Sequence, residues 1–247
     1  MTGLLASVAS LAEAQIVAAC NVDIVDLKNP PAGALGALPL DTVRTIVDQY
    51  SGQIPLSATI GDQPMQADVI GSAVADMAAT GVDFVKLGFF PDGPWQPVLD
   101  HLHPLTARGI RLVAVFFADY PLPADCLASV AQAGFTGAML DTADKQAGSL
   151  TALRDIGFLR TFAAEARRLG LLCGLAGSLR YEDIDTLRPL GVDYLGFRGA
   201  LCGGLRTATL DREAVLRLEQ HIHKPLPPDC CEIRHAVPPD PLGLIQT

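Results

Sequence analysis

The stretch VDIVDLKNPPAGALG, Val22 to Gly36, decides how the whole chain is read. A short run rich in valine, isoleucine and leucine ends at Lys28, and Asn29, Pro30, Pro31 and Gly33 follow at once. Such a run, bounded by turn residues and too short for a helix, describes a buried strand. It ends on a lysine in a chain that holds four lysines against fourteen arginines. A cation placed where a buried strand runs out needs either a partner or a task.

The same pattern recurs on both sides. Besides Ile24–Asn29, strands are expected at Leu4–Val8, Leu56–Ile60, Phe84–Gly88, Arg111–Ala118, Gly137–Asp141, Leu172–Gly177 and Tyr194–Arg198. Between them lie segments such as PLDTVRTIVDQY, ADVIGSAVADMAATG and LRDIGFLRTFAAEARRLG. Their apolar residues fall at three- and four-residue spacing, the mark of an amphipathic helix. Glycines such as Gly81 and Gly170 stand where a left-handed residue closes a helix. Eight βα units with no linker between them read as an α/β protein, a single-domain (β/α)8 TIM barrel over residues 1–224. An open doubly wound sheet is the second reading. It normally shows a Gly-rich dinucleotide fingerprint after the first strand, and ASVASLAEAQ has none. The proline-rich segment 225–247 reads as an irregular C-terminal extension.

Composition narrows the function. The chain is 49% hydrophobic and 18% charged, with no unbroken apolar run of membrane-spanning length, so a soluble globular protein is expected. A formal charge of −9 argues against a nucleic-acid partner. No lysine or arginine precedes Lys28, so the opening segment lacks the charged start of a secretion signal, and a cytoplasmic location is expected. The cysteines at 20, 126, 173, 202, 230 and 231 have no metal-site spacing and read as core residues or free thiols. His101 with His103, and His221 with His223, fall in helical segments where i,i+2 side chains point to different sides; solvated histidines are expected, not a metal site. No cofactor is expected, and homo-oligomerisation is left open.

Three of the lysines, Lys28, Lys86 and Lys145, lie at or just past C-terminal strand ends, the rim where barrels of this kind carry their active sites. Strand alternation puts Asp26 and Lys28 on one face, toward the barrel interior, with Val25 and Leu27 toward the helices. Lys86 points inward by the same rule, Asp141 ends the sixth strand, and Lys145 follows it in the loop. One reading is structural: ion pairs that close the top of the barrel. The other is catalytic. A lysine in a partly desolvated site beside other cations loses proton affinity, and its neutral amine can attack a carbonyl to form a Schiff base. Asp26 and Asp141 could then move protons during imine formation and carbon–carbon chemistry.

LAGSLR, Leu175 to Arg180, and GFRGALCGGLR, Gly196 to Arg206, end the seventh and eighth strands. Loops at these positions frequently bind phosphate in such barrels through closely approaching backbone N–H groups. Arg198 would add a charge-assisted contact. Plain tight turns are the alternative. A carbonyl-bearing sugar phosphate is the substrate class these parts suggest.

The motifs DIVDLKNPPAGALGALP, SATIGD, VDFVKLGFF, FFADY, AMLDTADK, LAGSLRYEDI and GVDYLGFRGALC resemble, in order from about Leu4 to Leu218, the (5-formylfuran-3-yl)methyl phosphate synthase family of methanofuran biosynthesis. The resemblance implies a lyase that joins two glyceraldehyde 3-phosphate molecules with loss of phosphate and water. It implies that Lys28 is the Schiff-base lysine and Lys86 an acid/base lysine, with Asp26, Asp141 and Lys145 as further polar site positions. It places Asn29, Gly177, Ser178, Arg198 and Gly199 in segments suited to holding substrate phosphate. The sequence departs from the family pattern at Phe117, where tyrosine is common, and in a shorter loop after FFADY. A class I aldolase of other specificity and a pyridoxal-phosphate-binding barrel remain as competing readings.

Overall fold

The computed structural model describes residues 1–144 and 147–225. Eight parallel strands close into a barrel in chain order, β1-β2-β3-β4-β5-β6-β7-β8, with β8 pairing back onto β1. The strands are β1 (Gly3–Val8), β2 (Ile24–Leu27), β3 (Leu56–Thr59), β4 (Phe84–Gly88), β5 (Leu112–Phe117), β6 (Gly137–Asp141), β7 (Leu172–Leu175) and β8 (Tyr194–Phe197). Each expected strand is present, and the barrel is the architecture read from the sequence.

The helices around it are α1 (Leu11–Ala18), α2 (Leu40–Tyr50), α3 (Ala67–Ala78), α4 (Trp95–Thr106), α5 (Cys126–Gln132), α6 (Leu150–Leu153), α7 (Ile156–Arg168), α8 (Ile184–Leu187) and α9 (Arg212–His223). Side-chain caps fix several starts: Ser10 accepts from the Glu13 N–H, and Asp155 from the Phe158 N–H. Gly81 and Gly170, expected after α3 and α7, take φ of 89° and 72°. The proline-rich extension expected from residue 225 falls, beyond Pro225, outside the described residues.

Strand alternation sorts the core into two. Val25, Leu27, Val85 and Leu87 belong to the larger cluster between sheet and helices, and Leu5, Ile24, Phe84, Val113, Val115 and Phe117 to the smaller cluster inside the barrel. Lys28 and Lys86 therefore point inward, as their neighbours point out.

Several strands end earlier than the sequence suggested. β2 stops at Leu27: the Lys28 N–H still reaches Val8 O at 3.0 Å, but the Asn29 N–H turns to Gly36 O at 2.7 Å and takes the chain into its own loop. The extended stretch after β7 breaks at Gly177, whose φ is 107°.

The cysteines at 20, 126, 173 and 202 are buried free thiols, as expected, and burial pushes the Cys126 thiol up to about 11. Cys230 and Cys231 lie outside the described residues. His221 and His223 are engaged, not merely solvated: His221 meets Tyr181 and Asp185, and His223 meets Asp23 and Glu219. They have separate partners, as their spacing implied. Among the described residues no helix is long and apolar enough to cross a membrane.

Candidate active site

The C-terminal mouth of the barrel gathers a row of polar side chains from neighbouring strands. Ser7 of β1, Asp26 of β2 and Ser57 of β3 are register partners, so they stand side by side on the inner face. Asp26 sits at their centre. Its Oδ2 accepts from Ser7 Oγ at 3.0 Å, and its Oδ1 from Ser57 Oγ at 2.7 Å and from Lys86 Nζ at 2.8 Å. The Asp26 side chain is 1% exposed and that of Lys86 3% exposed, so this ion pair is cut off from water.

Burial alone would raise the Asp26 pKa. The ammonium groups of Lys86 and, second, Lys28, with the hydrogen bonds from Lys86 and Ser57, outweigh it and hold the carboxyl below its usual range. Asp26 is therefore ionised between two cations. Lys28, just past the end of β2, lies 3.8 Å from Asp141 Oδ2 at the end of β6, and both side chains are buried. The lysines at 28 and 86 and the carboxylates at 26 and 141 thus form one buried group. Lys145 lies outside the described residues.

Below Lys86 the barrel is apolar: Ile24, Phe84, Val113, Leu172 and Tyr194 line a small cavity with Ser57 and Lys86 at its edge. On another side Phe117 stacks on Phe90 at 4.5 Å between ring centroids and meets Tyr120 edge-on at 6.2 Å. Phe117 is thus part of an aromatic wall of the mouth.

The loops above this group are held by carboxylates that the sequence reading did not single out. Asp62, after β3, accepts the Ala34 and Leu35 N–H groups, both at 2.8 Å, and so fixes the loop that follows Lys28. Asp119, after β5, accepts the Ala143 and Asp144 N–H groups at 2.8 and 2.6 Å and so fixes the loop that follows Asp141. Asn29 is half-buried at the start of the β2 loop. Gly177 and Ser178 follow β7 with φ of 107° and 50°; a Cβ at Gly177 would lie 2.8 Å from Thr142 Cγ2, so the chain passes there on the strength of a glycine. Gly199 begins the short 3-10 turn Gly199–Cys202 after β8.

Arg198 is engaged within the protein. The sequence suggested a phosphate contact, but every N–H of its guanidinium has an acceptor in the protein. Nε donates to Arg206 O, Nη1 to Ser7 O and Glu13 Oε2, and Nη2 to Glu13 Oε1 and Ala208 O. The Arg198–Glu13 pair, 2.5 Å at its closest, is nearly enclosed and ties the β8 loop to α1. Arg198 fastens the barrel where its last strand meets its first.

Ser7 and Ser57 were also missed. Their signal was the alternation that identified Asp26: both occupy inward positions in strands adjacent to β2.

Fold and site together define a (β/α)8 barrel whose catalytic end carries buried, paired lysines and carboxylates. The described fold is shared with 3-hexulose-6-phosphate synthase from Salmonella typhimurium, at a TM-score of 0.64 and 17% identity over 90% of this chain and 98% of that one. A model of the 4-HFC-P synthase family matches residues 4–219. The (5-formylfuran-3-yl)methyl phosphate synthase of Methanosarcina mazei is 34% identical over 227 residues, covering 87% of this chain and 97% of its own. A Methylorubrum extorquens protein assigned to the same synthase is 43% identical over 199 residues, 81% of this chain and 82% of its own. The chain belongs to the (5-formylfuran-3-yl)methyl phosphate synthase family and is an enzyme.

Proposed function

We propose that the protein condenses two molecules of glyceraldehyde 3-phosphate to (5-formylfuran-3-yl)methyl phosphate through a Schiff base on Lys28, in methanofuran-type cofactor biosynthesis in the cytoplasm. The observation that carries the reading is the buried group of Lys28, Lys86, Asp26 and Asp141 at the barrel mouth. Membership in the family supports the product.

In this reading Lys28 passes its ammonium proton to Asp141, the freed amine attacks the carbonyl of the first triose phosphate, and loss of water gives an imine. Asp141, 3.8 Å from Lys28 Nζ, is placed to take and return the protons of that step. Loss of a proton from the carbon next to the imine gives an enamine, whose carbon attacks the carbonyl of the second triose. Lys86, held by Asp26, can donate to the oxygen on which charge develops. The whole balances without oxidation: two triose phosphates minus one phosphoric acid and two waters leave the furan aldehyde phosphate. The reaction therefore calls for no redox cofactor.

Incubation with glyceraldehyde 3-phosphate should give an ultraviolet-absorbing furan, and borohydride with substrate should fix mass on Lys28. An aldol product with no furan would move the enzyme to a class I aldolase of other specificity. Trapping on Lys86 would exchange the two lysine roles.

A further inference from the structure

With the Arg198 guanidinium engaged by the protein, a second arginine of the β8 loop stands out as a candidate phosphate contact. Arg206 lies in the loop that follows β8 and reaches the β2 loop, where its Nη2 donates to Gly33 O at 2.8 Å. In the barrel β1 stands between β8 and β2, so this link bridges the mouth above β1. Gly33 directly precedes Ala34 and Leu35, whose N–H groups Asp62 holds, so the arginine rests on an anchored turn.

Two features separate Arg206 from Arg198. First, among the described residues Gly33 O is its one hydrogen-bond acceptor, so most of its N–H fork is unclaimed, whereas that of Arg198 is full. Second, it is half-buried and held against the β2 loop that follows Lys28. Burial, the largest influence on its pKa, pulls it down, the carboxylates of Asp141 and Asp62 pull it back up, and Arg198 opposes it. Asp141 is the same carboxylate that meets Lys28. A half-buried guanidinium with an open edge, anchored on the loop that follows Lys28, matches the planar two-point geometry with which arginine binds a phosphate.

We propose that Arg206 is the side chain that takes a substrate phosphate at this mouth, through the N–H edge it does not spend on Gly33. The proposal rests on the triose-phosphate reading above and assigns one of its contacts to a residue outside the expected set. The bond to Gly33 then keeps the β8 loop drawn over the β2 loop while the free edge meets the ligand.

The test uses the full-length protein with the Arg206→Ala and Arg206→Lys variants. Inorganic phosphate is titrated calorimetrically, and thermal midpoints are recorded alongside. Losing hydrogen bonds to a charged partner should weaken phosphate binding about tenfold or more in Arg206→Ala. Lysine should restore only part of it, since an ammonium keeps the charge and loses the fork. With glyceraldehyde 3-phosphate, KM should rise by a similar factor and kcat change less. Equal phosphate affinity in wild type and Arg206→Ala overturns the proposal, as does a wild type that binds no phosphate. A lowered midpoint with unchanged phosphate affinity reduces Arg206 to a loop latch and overturns it too. If the wild type binds phosphate through Arg206 but makes no furan, the triose-phosphate reading fails while the phosphate ligand stands.

Discussion

Lys86 Nζ of β4 lies 2.8 Å from Asp26 Oδ1 of β2, across β3, and the two side chains are shut inside the barrel. Removing one partner leaves the other charge in a dry site, which commonly costs about 3–5 kcal/mol, whereas removing both at once is far milder. Lys86→Met should therefore be strongly destabilised and Asp26→Asn/Lys86→Met much less so than the sum of its single changes. Urea unfolding of the four proteins measures this coupling. Additive single effects would mean that the pair does not act as a unit.

The depressed Asp26 pKa has a signed consequence for stability. A carboxyl whose folded pKa lies below its unfolded value, about 3.9 for aspartate, binds fewer protons in the native state. Its contribution is complete above that unfolded value and disappears as pH falls through the folded one. Stability should accordingly drop more steeply in acid, below about pH 4, for the wild type than for Asp26→Asn. Unfolding midpoints recorded from neutral pH downward decide it; parallel acid limbs would assign the loss to other carboxylates.

Lys28→Ala removes an amine at the mouth and leaves the core between sheet and helices untouched. A folded protein is expected, with furan formation reduced to the uncatalysed level and no borohydride-trapped adduct. Lys86→Gln should keep the adduct while slowing turnover by roughly 10²–10⁴, the usual weight of a positioned acid or base. Circular dichroism with mass spectrometry of the trapped protein reads both. Retained turnover in Lys28→Ala would remove it from the chemistry.

Arg198→Ala should behave as a structural lesion. It strands Glu13, whose side chain is only 11% exposed, and a broken buried pair costs about 3–5 kcal/mol. Glu13→Gln/Arg198→Met should recover part of that stability. In protein that remains folded, KM for the triose phosphate should change little, in contrast to Arg206→Ala. A large KM rise with full stability would return Arg198 to the substrate.

Much of this molecule was legible in the chain itself. Short apolar runs alternating with helical spacing describe a barrel because each strand, buried on both faces, must be short and apolar, and each helix needs one apolar stripe. The inward directions of Asp26, Lys28 and Lys86 followed from a period of two. What escaped detection depended on distance in sequence. Glu13 and Arg198 are 185 residues apart, and a Gly-rich loop after β8 suggests phosphate until the acceptors around Arg198 are seen. Asp62 and Asp119 serve loops on neighbouring strands, so nothing local marks them. Ser7 and Ser57 required the register across β1, β2 and β3, which closure fixes.

The clasp between Glu13 and Arg198 also orders events as the polypeptide is made. Lys28, Lys86 and Asp141 have all been synthesised well before position 198 leaves the ribosome, yet the seam between the first and last strands cannot be fastened until then. A nascent chain halted short of that arginine carries the whole amine–carboxylate group and an acid at position 13 with no cation to meet it. Closure of the barrel around that group therefore waits for the eighth strand.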